Sequence, residues 1–449
     1  MTQFATLRIT NRRAGLSAVL FGKKKVLAAR KDIALGRNAL PEFLKVVTPD
    51  QVFDVLSGFG RLAVETVPLD EALRRVCGAD IVSTEDLPPL PRSMMDGYAV
   101  HAADTFGASD SIPAFLDKVG AIAMGQISGI AVGKNQAAMI PTGGFLPEGA
   151  DAVVMVEYTS EAGEDAIEVI RPVTAGENIL GKAEDVARGE CVVPAGRRLL
   201  PQEIGLLAGL GSPRVTVYRR PRVAVVSTGD EIVPINQDPP PGRIRDINTH
   251  SLAALVRDAG GEAEMFGIVP DDPGRLRAAV EKALASADIV VLSGGSSVGE
   301  RDHMVNVVSS LPGALVHAHG IAISPGKPTL IASVAGKPVF GLPGHPVSAL
   351  IVAQVFLAPF LRYLGGEDLK RGPARARVRA KLAVSVHSAQ GREEYVRVKI
   401  EEDENVIRVR PIFGKSGMLS TLVGADGFFV VPIHVEGIPA GEMVDVTLF

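Results

Sequence analysis

Hydrophobic residues between about 218 and 366 fall into two alternating patterns, short apolar runs and longer amphipathic stretches. The short runs are RVAVVS, EAEMFGIV, DIVVLS and KPVFGL. The longer stretches are THSLAALVRDAG, DPGRLRAAVEKALAS and HPVSALIVAQVFLAPFLRYL. Strands that alternate with capped helices are typical of α/β domains. The pattern therefore predicts a doubly wound parallel-sheet domain over 218–366.

The flanking regions follow other patterns. PDQVFDVLSGF and LDEALRRVCGADI predict helices within 43–105, and PQEIGLLAGLG predicts a short helix within 171–217. Between these segments, residues 106–170 alternate in polarity and break often at glycine, which is typical of short strands. We therefore expect a split first domain that carries a small inserted β domain. Regular alternation over 372–449 predicts a C-terminal β-barrel domain.

The first 42 residues are rich in Lys and Arg and poor in acidic residues. They lack the long apolar segment of a secretory signal. This basic N-terminal extension is expected to be disordered, and an organelle transit peptide or a surface-binding arm remains an alternative.

Composition limits the function classes. The 449 residues are 46% apolar and 22% charged, with a formal net charge of -4, so no broad attraction to nucleic acid or anionic membranes is expected. Cys77 and Cys191 form no CxxC pair, which argues against a disulfide framework or a zinc site and favours a cytoplasmic location. No uninterrupted apolar run reaches the roughly 18 residues of a membrane span.

Candidate chemistry follows all four strand runs. Ligands of open α/β sheets bind beyond the carboxyl ends of the strands, so residues after these runs should share one edge. A glycine loop is often a plain connection, and Asp272 before Pro273 fits an N-cap. The coincidence on one edge nevertheless predicts a ligand-binding crevice. The residues after the four runs are Thr228, Asp230 and Glu231; Asp271 and Asp272; Gly294, Gly295, Ser296, Ser297, Gly299 and Asp302; and Gly344, His345 and Ser348.

The residue types suggest a phosphate together with a cation. Glycine N–H groups and the hydroxyls of Ser296 and Ser297 suit phosphate oxygens. Carboxylates beside a phosphate repel it unless a divalent ion or ligand hydroxyls lie between them, so Glu231, Asp271 and Asp302 indicate a metal-and-nucleotide site. The loop lacks the Gly-Lys-Ser/Thr ending of a Walker A motif.

A second loop, HGIAISPGKPTLI, holds a lysine between two prolines. Lys327 is either an anion clamp or a solvated lysine on a rigid turn.

Seven motifs occur in the order found in the MoeA family, the molybdopterin molybdenumtransferases, which includes the C-terminal domain of gephyrin. The chain resembles this family from about Phe43 to Phe449, and the basic N-terminus lies outside the resemblance. The motifs are PLPRSMMDGYAV, IPTGGFLPEGADAVVMVE, GENILGKAEDVARGE, VAVVSTGDEIV, LSGGSSVGERDH, ISPGKPT and GLPGHPVSAL.

The resemblance implies the final step of molybdenum cofactor synthesis. Family members insert molybdate, or tungstate, into adenylylated molybdopterin, release AMP and use Mg²⁺. They are homodimers whose site combines the doubly wound domain of one subunit with the first two domains of the other.

Site residues are carried over by motif. Asp96, Thr142 and Asp185 resemble the contribution of the partner subunit. Glu231, Asp271 and Asp302 resemble the acidic residues of the doubly wound domain, with Glu231 and Asp302 holding the metal. The candidates for binding the cofactor precursor and the oxyanion are Gly294, Gly295, Ser296, Ser297, Gly299, Lys327, Pro328, Ser348, Arg392 and Ser416.

Three positions depart from the common family pattern. Ser324 stands where many members have lysine, Arg301 replaces a common tyrosine and His345 replaces a common asparagine. The choice between molybdate and tungstate therefore stays open. Two alternative functions also remain: a nucleotide or pyrophosphate hydrolase on the same fold, and a gephyrin-like scaffold, which would need a further trimerising domain.

Overall fold

The computed structural model describes residues 46–294, 303–369, 376–403 and 406–449. The predictions for residues 1–42 lie outside this part of the chain. In residues 46–218, short strands and two α-helices are joined by loops that include 3₁₀ turns at Leu69–Glu71, Ala102–Thr105 and Val156–Tyr158. The helices and strands of this region are α1 (Pro49–Ser57), β1 (Val64–Pro68), β2 (Ile81–Val82), β3 (Arg92–Ser93), β4 (Gly97–Val100), β5 (Ala114–Ala121), β6 (Gln136–Ile140), β7 (Ala152–Met155), β8 (Thr159–Glu161), β9 (Ala166–Val169), β10 (Ile179–Leu180), β11 (Cys191–Val193), α2 (Pro201–Gly209) and β12 (Arg214–Tyr218).

Strands before and after the inserted β region pair with each other. The antiparallel pairs are β1 with β12, β2 with β11, and β3 with β10. Between them, a six-stranded sheet has the order β7-β4-β6-β5-β9-β8. This sheet also includes β4, which lies before residue 106, the predicted start of the inserted β domain. β4 pairs with β6 on one side and β7 on the other, and its four residues are all buried.

The helix predicted for LDEALRRVCGADI is wrong. Only Leu69–Glu71 forms a 3₁₀ turn, and Arg74 adopts a positive φ of 63°, which an α-helix does not allow. Cys77 instead bridges to Val217. Tertiary pairing therefore overrides the local helical pattern. The helices predicted from PDQVFDVLSGF and PQEIGLLAGLG are present as α1 and α2.

The central region forms the α/β domain expected from the alternating pattern. Asp272 caps α4, since its carboxylate accepts the N–H of Arg275 at 2.7 Å. The helices and strands of this region are β13 (Arg222–Thr228), β14 (Ile232–Val233), β15 (Ile244–Arg245), α3 (Asn248–Asp258), β16 (Glu262–Val269), α4 (Pro273–Ser286), β17 (Ile289–Ser293), α5 (His303–Ser310), β18 (Ala314–His319), β19 (Ile323–Ser324), β20 (Leu330–Val334), β21 (Lys337–Leu342), α6 (Pro346–Val352) and α7 (Ala358–Leu364).

The central sheet has the order β16-β13-β17-β21-β20-β18. The first four strands are parallel, as predicted; β20 runs antiparallel to its two neighbours, β21 and β18, so β18 runs in the same direction as the first four. The chain passes from β13 to β16 on one side and then to β17 on the other side. The carboxyl ends of β13 and β17 therefore flank a topological switch point, where open α/β sheets bind their ligands.

Apolar residues fill both faces of this sheet. Phe340 of β21 contacts Phe360 with ring centroids 5.9 Å apart, and both side chains are fully buried. The helical run Pro346–Leu364, with a π turn at Ala353–Leu357, is long and apolar enough to cross a membrane, yet 78% of its apolar window is buried inside the protein. It therefore has the burial of a core helix.

The C-terminal region closes into a five-stranded barrel, which confirms the prediction. The barrel strands lie in the order β24 (Glu393–Asp403), β25 (Val406–Pro411), β22 (Arg377–Leu382), β28 (Met443–Leu448) and β26 (Gly427–Val431), and β26 pairs back with β24. The short strand β19 pairs in parallel with β24 and attaches the central region to the barrel. The helices and strands of this region are β22 (Arg377–Leu382), β23 (Val386–His387), β24 (Glu393–Asp403), β25 (Val406–Pro411), α8 (Ser420–Val423), β26 (Gly427–Val431), β27 (Gly437–Ile438) and β28 (Met443–Leu448).

Candidate functional site

A cavity of about 830 Å³ opens at the switch point of the central sheet. We call it the switch-point cavity. Thr228 at the end of β13, Ser293 at the end of β17 and Gly344 after β21 all line it. The strand ends thus meet at one edge, as the sequence predicts. Its other lining residues include Glu231, Asp246, Asn248, Gly294, Pro328, Pro343, His345 and Pro346.

Asn248 holds two of these strand ends together. Its Nδ2 donates to the Ser293 hydroxyl at 2.7 Å and to the Gly344 carbonyl at 2.8 Å. The residue is 8% exposed, and its buried Oδ1 has no hydrogen-bond partner among the described residues. A buried acceptor without a partner costs free energy, so a ligand N–H or O–H that reached it would remove that cost.

Asp246 fixes the start of α3 beneath the same cavity. Its Oδ1 accepts the Thr249 N–H and the Ser227 hydroxyl, each at 3.0 Å. Ser227 and Thr249 also share a hydroxyl hydrogen bond of 2.8 Å. The buried carboxylate therefore orients the first turn of the helix that carries Asn248.

Gly294 begins the predicted phosphate loop. Its φ is +117°, and a Cβ at this position would lie 2.1 Å from the Thr228 carbonyl oxygen. Only glycine fits there, because an L side chain would be strained and would also clash with β13. The chain can therefore pass close to the neighbouring strand as it enters the cavity.

A second cavity, of about 440 Å³, lies between the central region and the barrel. We call it the barrel cavity. Its walls come from β19 and the loop after it, from the first turn of α6, and from the β24 strand of the barrel. Its lining residues include Ser324, Lys327, Pro328, Pro343, His345, Ser348, Arg392, Glu394, Arg397 and Ser416.

Basic groups dominate the barrel cavity. Lys327, Arg392 and Arg397 face one carboxylate, that of Glu394. The Nε atoms of Arg392 and Arg397 are buried and find no hydrogen-bond partner in the part of the chain that the structure describes. Burial lowers the pKa of the Arg397 guanidinium, which nevertheless stays charged at neutral pH. Such a cavity is suited to an anion.

The first turn of α6 adds to this preference. Ser348 is 5% exposed and lines the barrel cavity, while Pro346 at the start of the helix lines the switch-point cavity. The N-terminal end of a helix carries a partial positive charge and favours anions. The helix of which α6 is the first part therefore begins where the two cavities meet.

The two cavities share lining residues. Pro328, Pro343 and His345 belong to both. His345 Nδ1 lies 3.0 Å from the hydroxyl of Ser416, which is in the barrel cavity. Two ligands bound in the two cavities would therefore be neighbours.

The structure brings together most of the predicted oxyanion residues. Lys327, Pro328, Ser348, Arg392 and Ser416 all line the barrel cavity. Glu231 and Gly294 line the switch-point cavity, and Pro328 lines both.

Asp271 is placed differently. Its N–H donates to the Asp230 carboxylate at 3.2 Å, so the ends of β16 and β13 do meet, but Asp271 is exposed and lines neither cavity. The predicted grouping of Asp271 with Glu231 around one ligand is therefore not seen among the cavity-lining residues.

Asp96 and Thr142 form a separate exposed pair. The Thr142 N–H donates to Asp96 Oδ1 at 2.6 Å, and this bond holds the pKa of the Asp96 carboxyl below its ordinary value. Neither residue lines the two cavities, and neither does Asp185, which is exposed. In one chain these three residues are apart from Glu231.

The rest of the predicted phosphate loop lies outside the described residues. This part of the prediction covers Gly295, Ser296, Ser297, Gly299, Arg301 and Asp302.

Sequence reasoning missed Asp246, Asn248 and Arg397. For Asp246 and Asn248 the signal is the polar stretch RDINTH directly before a helix. For Arg397 the sequence gives no such signal, because alternation in EEYVRVKI places it on the same face of the strand as Lys399 and predicts a solvent-facing side chain. Its Nη1 donates to the Thr421 hydroxyl at 2.7 Å and its Nη2 to the Gly414 carbonyl at 3.1 Å, which positions it in the barrel wall.

The described residues contain no group of three or more His, Cys, Asp or Glu side chains that could hold a metal ion. This donor set does not suit an ion held entirely by the protein. It does fit Mg²⁺, which keeps several water ligands and commonly takes one or two carboxylates together with substrate phosphates. Glu231 at the mouth of the switch-point cavity is such a carboxylate.

Three family models match consecutive parts of the chain. The MoeA N-terminal region (domains I and II) matches residues 42–211, a probable molybdopterin binding domain matches residues 224–363, and the MoeA C-terminal region (domain IV) matches residues 379–449.

Curated proteins match over most of the chain. A molybdopterin molybdenumtransferase of Nostoc sp. is 36% identical over 385 residues, covering 85% of this chain and 87% of the relative. A putative molybdopterin biosynthesis protein of Methanocaldococcus jannaschii is 35% identical over 407 residues, covering 88% and 96%. A crystal structure of the molybdopterin biosynthesis MoeA protein from Pyrococcus horikoshii superposes with a TM-score of 0.75 at 38% identity, covering 90% of this chain and 99% of that one.

Proposed function

The chain belongs to the MoeA family of molybdopterin molybdenumtransferases, and we propose that it inserts molybdate or tungstate into adenylylated molybdopterin with release of AMP. It is a metal-insertion transferase of molybdenum cofactor biosynthesis. We propose the identity of the adenylylated substrate and of the oxyanion, the use of Mg²⁺, and the residues that form the site.

The observation that carries the proposal is the adjacency of the two cavities. The switch-point cavity, of about 830 Å³, has room for a large organic ligand. The basic barrel cavity suits a tetrahedral oxyanion. Because Pro328, Pro343 and His345 line both, a pterin dithiolene in the first cavity would lie beside an oxyanion in the second.

Each cavity has groups suited to its proposed ligand. Asn248 Oδ1 is a buried acceptor available to an N–H of the pterin or a hydroxyl of the nucleoside. Lys327 and Arg392 offer positive charge, and Ser348 and Ser416 offer hydroxyls, to the oxygens of molybdate. Charge-assisted hydrogen bonds of this kind are worth about 1.5 to 3 kcal/mol each.

Release of AMP requires cleavage of a phosphoanhydride. One water adds across the P–O–P linkage, giving AMP and the phosphate of molybdopterin. Glu231, with Asp302 outside the described residues, would hold Mg²⁺, which neutralises phosphate charge when bound. The strand ends and the start of α6 would hold the phosphates of the substrate in the switch-point cavity, close to the oxyanion in the barrel cavity.

The exposed pair Asp96 and Thr142 supports a site completed by a second copy of the chain. These residues, with Asp185, line neither cavity of their own chain. In a homodimer the partner's copies would supply polar groups to the switch-point cavity. Asp96 is suited to this role because its carboxylate is exposed and is held in place by the hydrogen bond from the Thr142 N–H.

Incubation of the purified protein with adenylylated molybdopterin, Mg²⁺ and either oxyanion tests the function directly. We expect AMP release that depends on molybdate or tungstate, together with active cofactor. Simple adenylates should not be cleaved. AMP release from simple adenylates without molybdopterin would identify a hydrolase instead, and Asp302→Ala should abolish the oxyanion-dependent release while leaving the fold intact.

Mixing of two inactive variants tests the shared site. Asp96→Ala and Glu231→Ala should each be inactive alone. After joint refolding or subunit exchange, one composite site per mixed dimer regains both wild-type residues, so about a quarter of all sites should be active at equal mixing on statistical grounds. A mixture that stays inactive, although mixed dimers are shown to form, would mean that both residues act in the same chain's site.

A further inference from the structure

The geometry points to a separate binding site for a phosphate group at the junction of the first region and the central α/β region. A cleft of about 30 Å³ lies there, and it shares no lining residue with the switch-point and barrel cavities. It is too small for a nucleotide or a pterin, and its volume is that of about one ordered water, so a phosphate would place only part of its oxygens in the cleft and stay open to solvent on the other side. Its basic lining residues are Arg74, Arg75, Arg198, Arg219, Arg220 and Arg362.

Three of these arginines already have acidic partners. Arg75 pairs with Glu65, Arg198 with Glu367, and Arg219 with Asp288. These pairs explain why the guanidinium groups are held in place. Arg362 also has an interaction partner, so the side chains of Arg74 and Arg220 are the two of the six that have no acidic partner among the described residues.

Helix ends offset part of the remaining charge. Ala259 and Gly260 at the end of α3 line the cleft, and so does Gly365 at the end of α7. Each helix C-terminus carries roughly half a negative charge. Two helix ends therefore offset about one of the two unpaired arginine charges, and a positive excess remains, which an anion of charge -1 to -2 would neutralise.

The backbone of Arg74 is a second, independent observation. Its φ is +63°, in the left-handed region, and its N–H donates to the Leu199 carbonyl at 2.7 Å. Residues other than Gly, Asn and Asp rarely adopt this conformation, and such residues cluster at ligand clamps. The strained backbone holds an arginine at the cleft, where it adds to an existing excess of positive charge.

A phosphate group fits this arrangement better than a carboxylate. Several guanidinium groups arrive from different elements, and a tetrahedral phosphate offers oxygens in several directions. The chemistry is shared by inorganic phosphate and by the phosphate of a monoester such as AMP, whose nucleoside would stay outside the cleft. Bound phosphate would link the first region, through Arg74, to the segment that leads into β13, through Arg220. This inference does not depend on the proposed function.

Equilibrium dialysis of the full chain with labelled inorganic phosphate, at fixed ionic strength, tests the site. We expect saturable binding of about one phosphate per chain at the cleft, in addition to any phosphate that the basic barrel cavity holds. The double variant Arg74→Gln with Arg220→Gln should bind at least tenfold more weakly, and Arg74→Lys with Arg220→Lys should retain part of the affinity because it keeps the charge. Arg377→Gln, an exposed arginine of the barrel, is the matched control and should bind as the wild type does.

A second comparison separates this site from the barrel cavity. Lys327→Gln should leave phosphate binding at the cleft intact. Loss of binding in Lys327→Gln, with full retention in the double glutamine variant, would move the phosphate to the barrel cavity and overturn the inference, as would absence of saturable binding by the wild type. Displacement of phosphate by AMP would assign the site to phosphate monoesters, and binding without displacement would assign it to free phosphate; both outcomes uphold the site.

Discussion

His345 Nδ1 and the hydroxyl of Ser416 lie 3.0 Å apart and join the loop after β21 to the loop after β25. The Val347 N–H also donates to the Ser416 carbonyl at 3.1 Å, so two contacts fix the barrel loop over the start of α6. These two contacts lie at the boundary of the switch-point and barrel cavities. The geometry of the boundary therefore depends on both residues together.

A double-mutant cycle of His345→Ala and Ser416→Ala should reveal this coupling. Each variant should weaken molybdate binding, and the double variant should lose less than the sum of the two, with a coupling of about 0.5 to 1.5 kcal/mol. Isothermal titration with molybdate gives the four affinities. Strict additivity would show that the two side chains act independently and that their hydrogen bond does not shape the cavity.

Lys327 should be a principal determinant of oxyanion affinity. Lys327→Ala removes one of the few positive charges of the barrel cavity, so we expect at least tenfold weaker binding of both molybdate and tungstate. Lys381→Ala, an exposed lysine on the barrel, is the control and should be neutral. Unchanged calorimetric affinity of Lys327→Ala for both ions would place the oxyanion elsewhere.

Ser324 offers a test of gain rather than loss. It lines the barrel cavity, so Ser324→Lys adds a positive charge near the proposed oxyanion. We expect tighter binding of both oxyanions and a steeper salt dependence of the affinity. A variant that folds but binds no more tightly would mean that the existing basic groups already satisfy the oxyanion.

Asn248 should matter for both stability and substrate binding. Asn248→Asp keeps the shape but replaces the NH₂ group, which donates both hydrogen bonds, by a carboxylate oxygen that would face the Gly344 carbonyl. We expect a loss of about 1 to 3 kcal/mol in the free energy of unfolding, measured by urea denaturation. Asn248→Ser, which removes the amide, should also raise the KM for adenylylated molybdopterin more than it lowers kcat. An unchanged KM would assign Asn248 a purely structural role.

The sequence predicts the central and C-terminal regions well because their apolar patterns are long and regular. The strand run that ends at Thr228, and the helix that begins at Pro346, are both buried as expected. The first region is less predictable, because LDEALRRVCGADI has a helical pattern but bridges to Arg198 and Val217, far away in the chain. The residues of the site also fall into a group that the sequence predicts and a group that it does not. Motif residues such as Lys327 and Ser348 are predicted from the sequence, and both line the barrel cavity. The polar stretch before α3 gives only a weak indication of Asn248, and Arg397 becomes recognisable only when folding brings its partners together.

Asp288 links the segment that leads into β13 to the start of β17 and should make the stability depend on pH. Its carboxylate accepts both Nη atoms of Arg219 at 2.8 Å and the Arg222 N–H at 2.8 Å. Burial raises the pKa of Asp288, but the hydrogen bonds from Arg219 and Arg222 outweigh it, so the pKa lies below its ordinary value of 3.8. The pair therefore stabilises the fold at neutral pH.

The sign of the pH effect follows from this lowered pKa. Asp288→Asn should cost about 1 to 3 kcal/mol above pH 5, where the wild-type carboxylate is ionised in both the folded and the unfolded chain. As the pH falls from the ordinary Asp pKa through the lower folded-state pKa, the wild-type carboxyl takes up a proton and its advantage over the variant disappears. Urea denaturation of both proteins from pH 7 to pH 3 measures the difference. Glu281→Gln removes an exposed ion pair with Arg277 and should change stability by no more than about 0.5 kcal/mol throughout; a stability difference for Asp288→Asn that does not shrink toward low pH would show that its carboxylate charge is not what stabilises this junction.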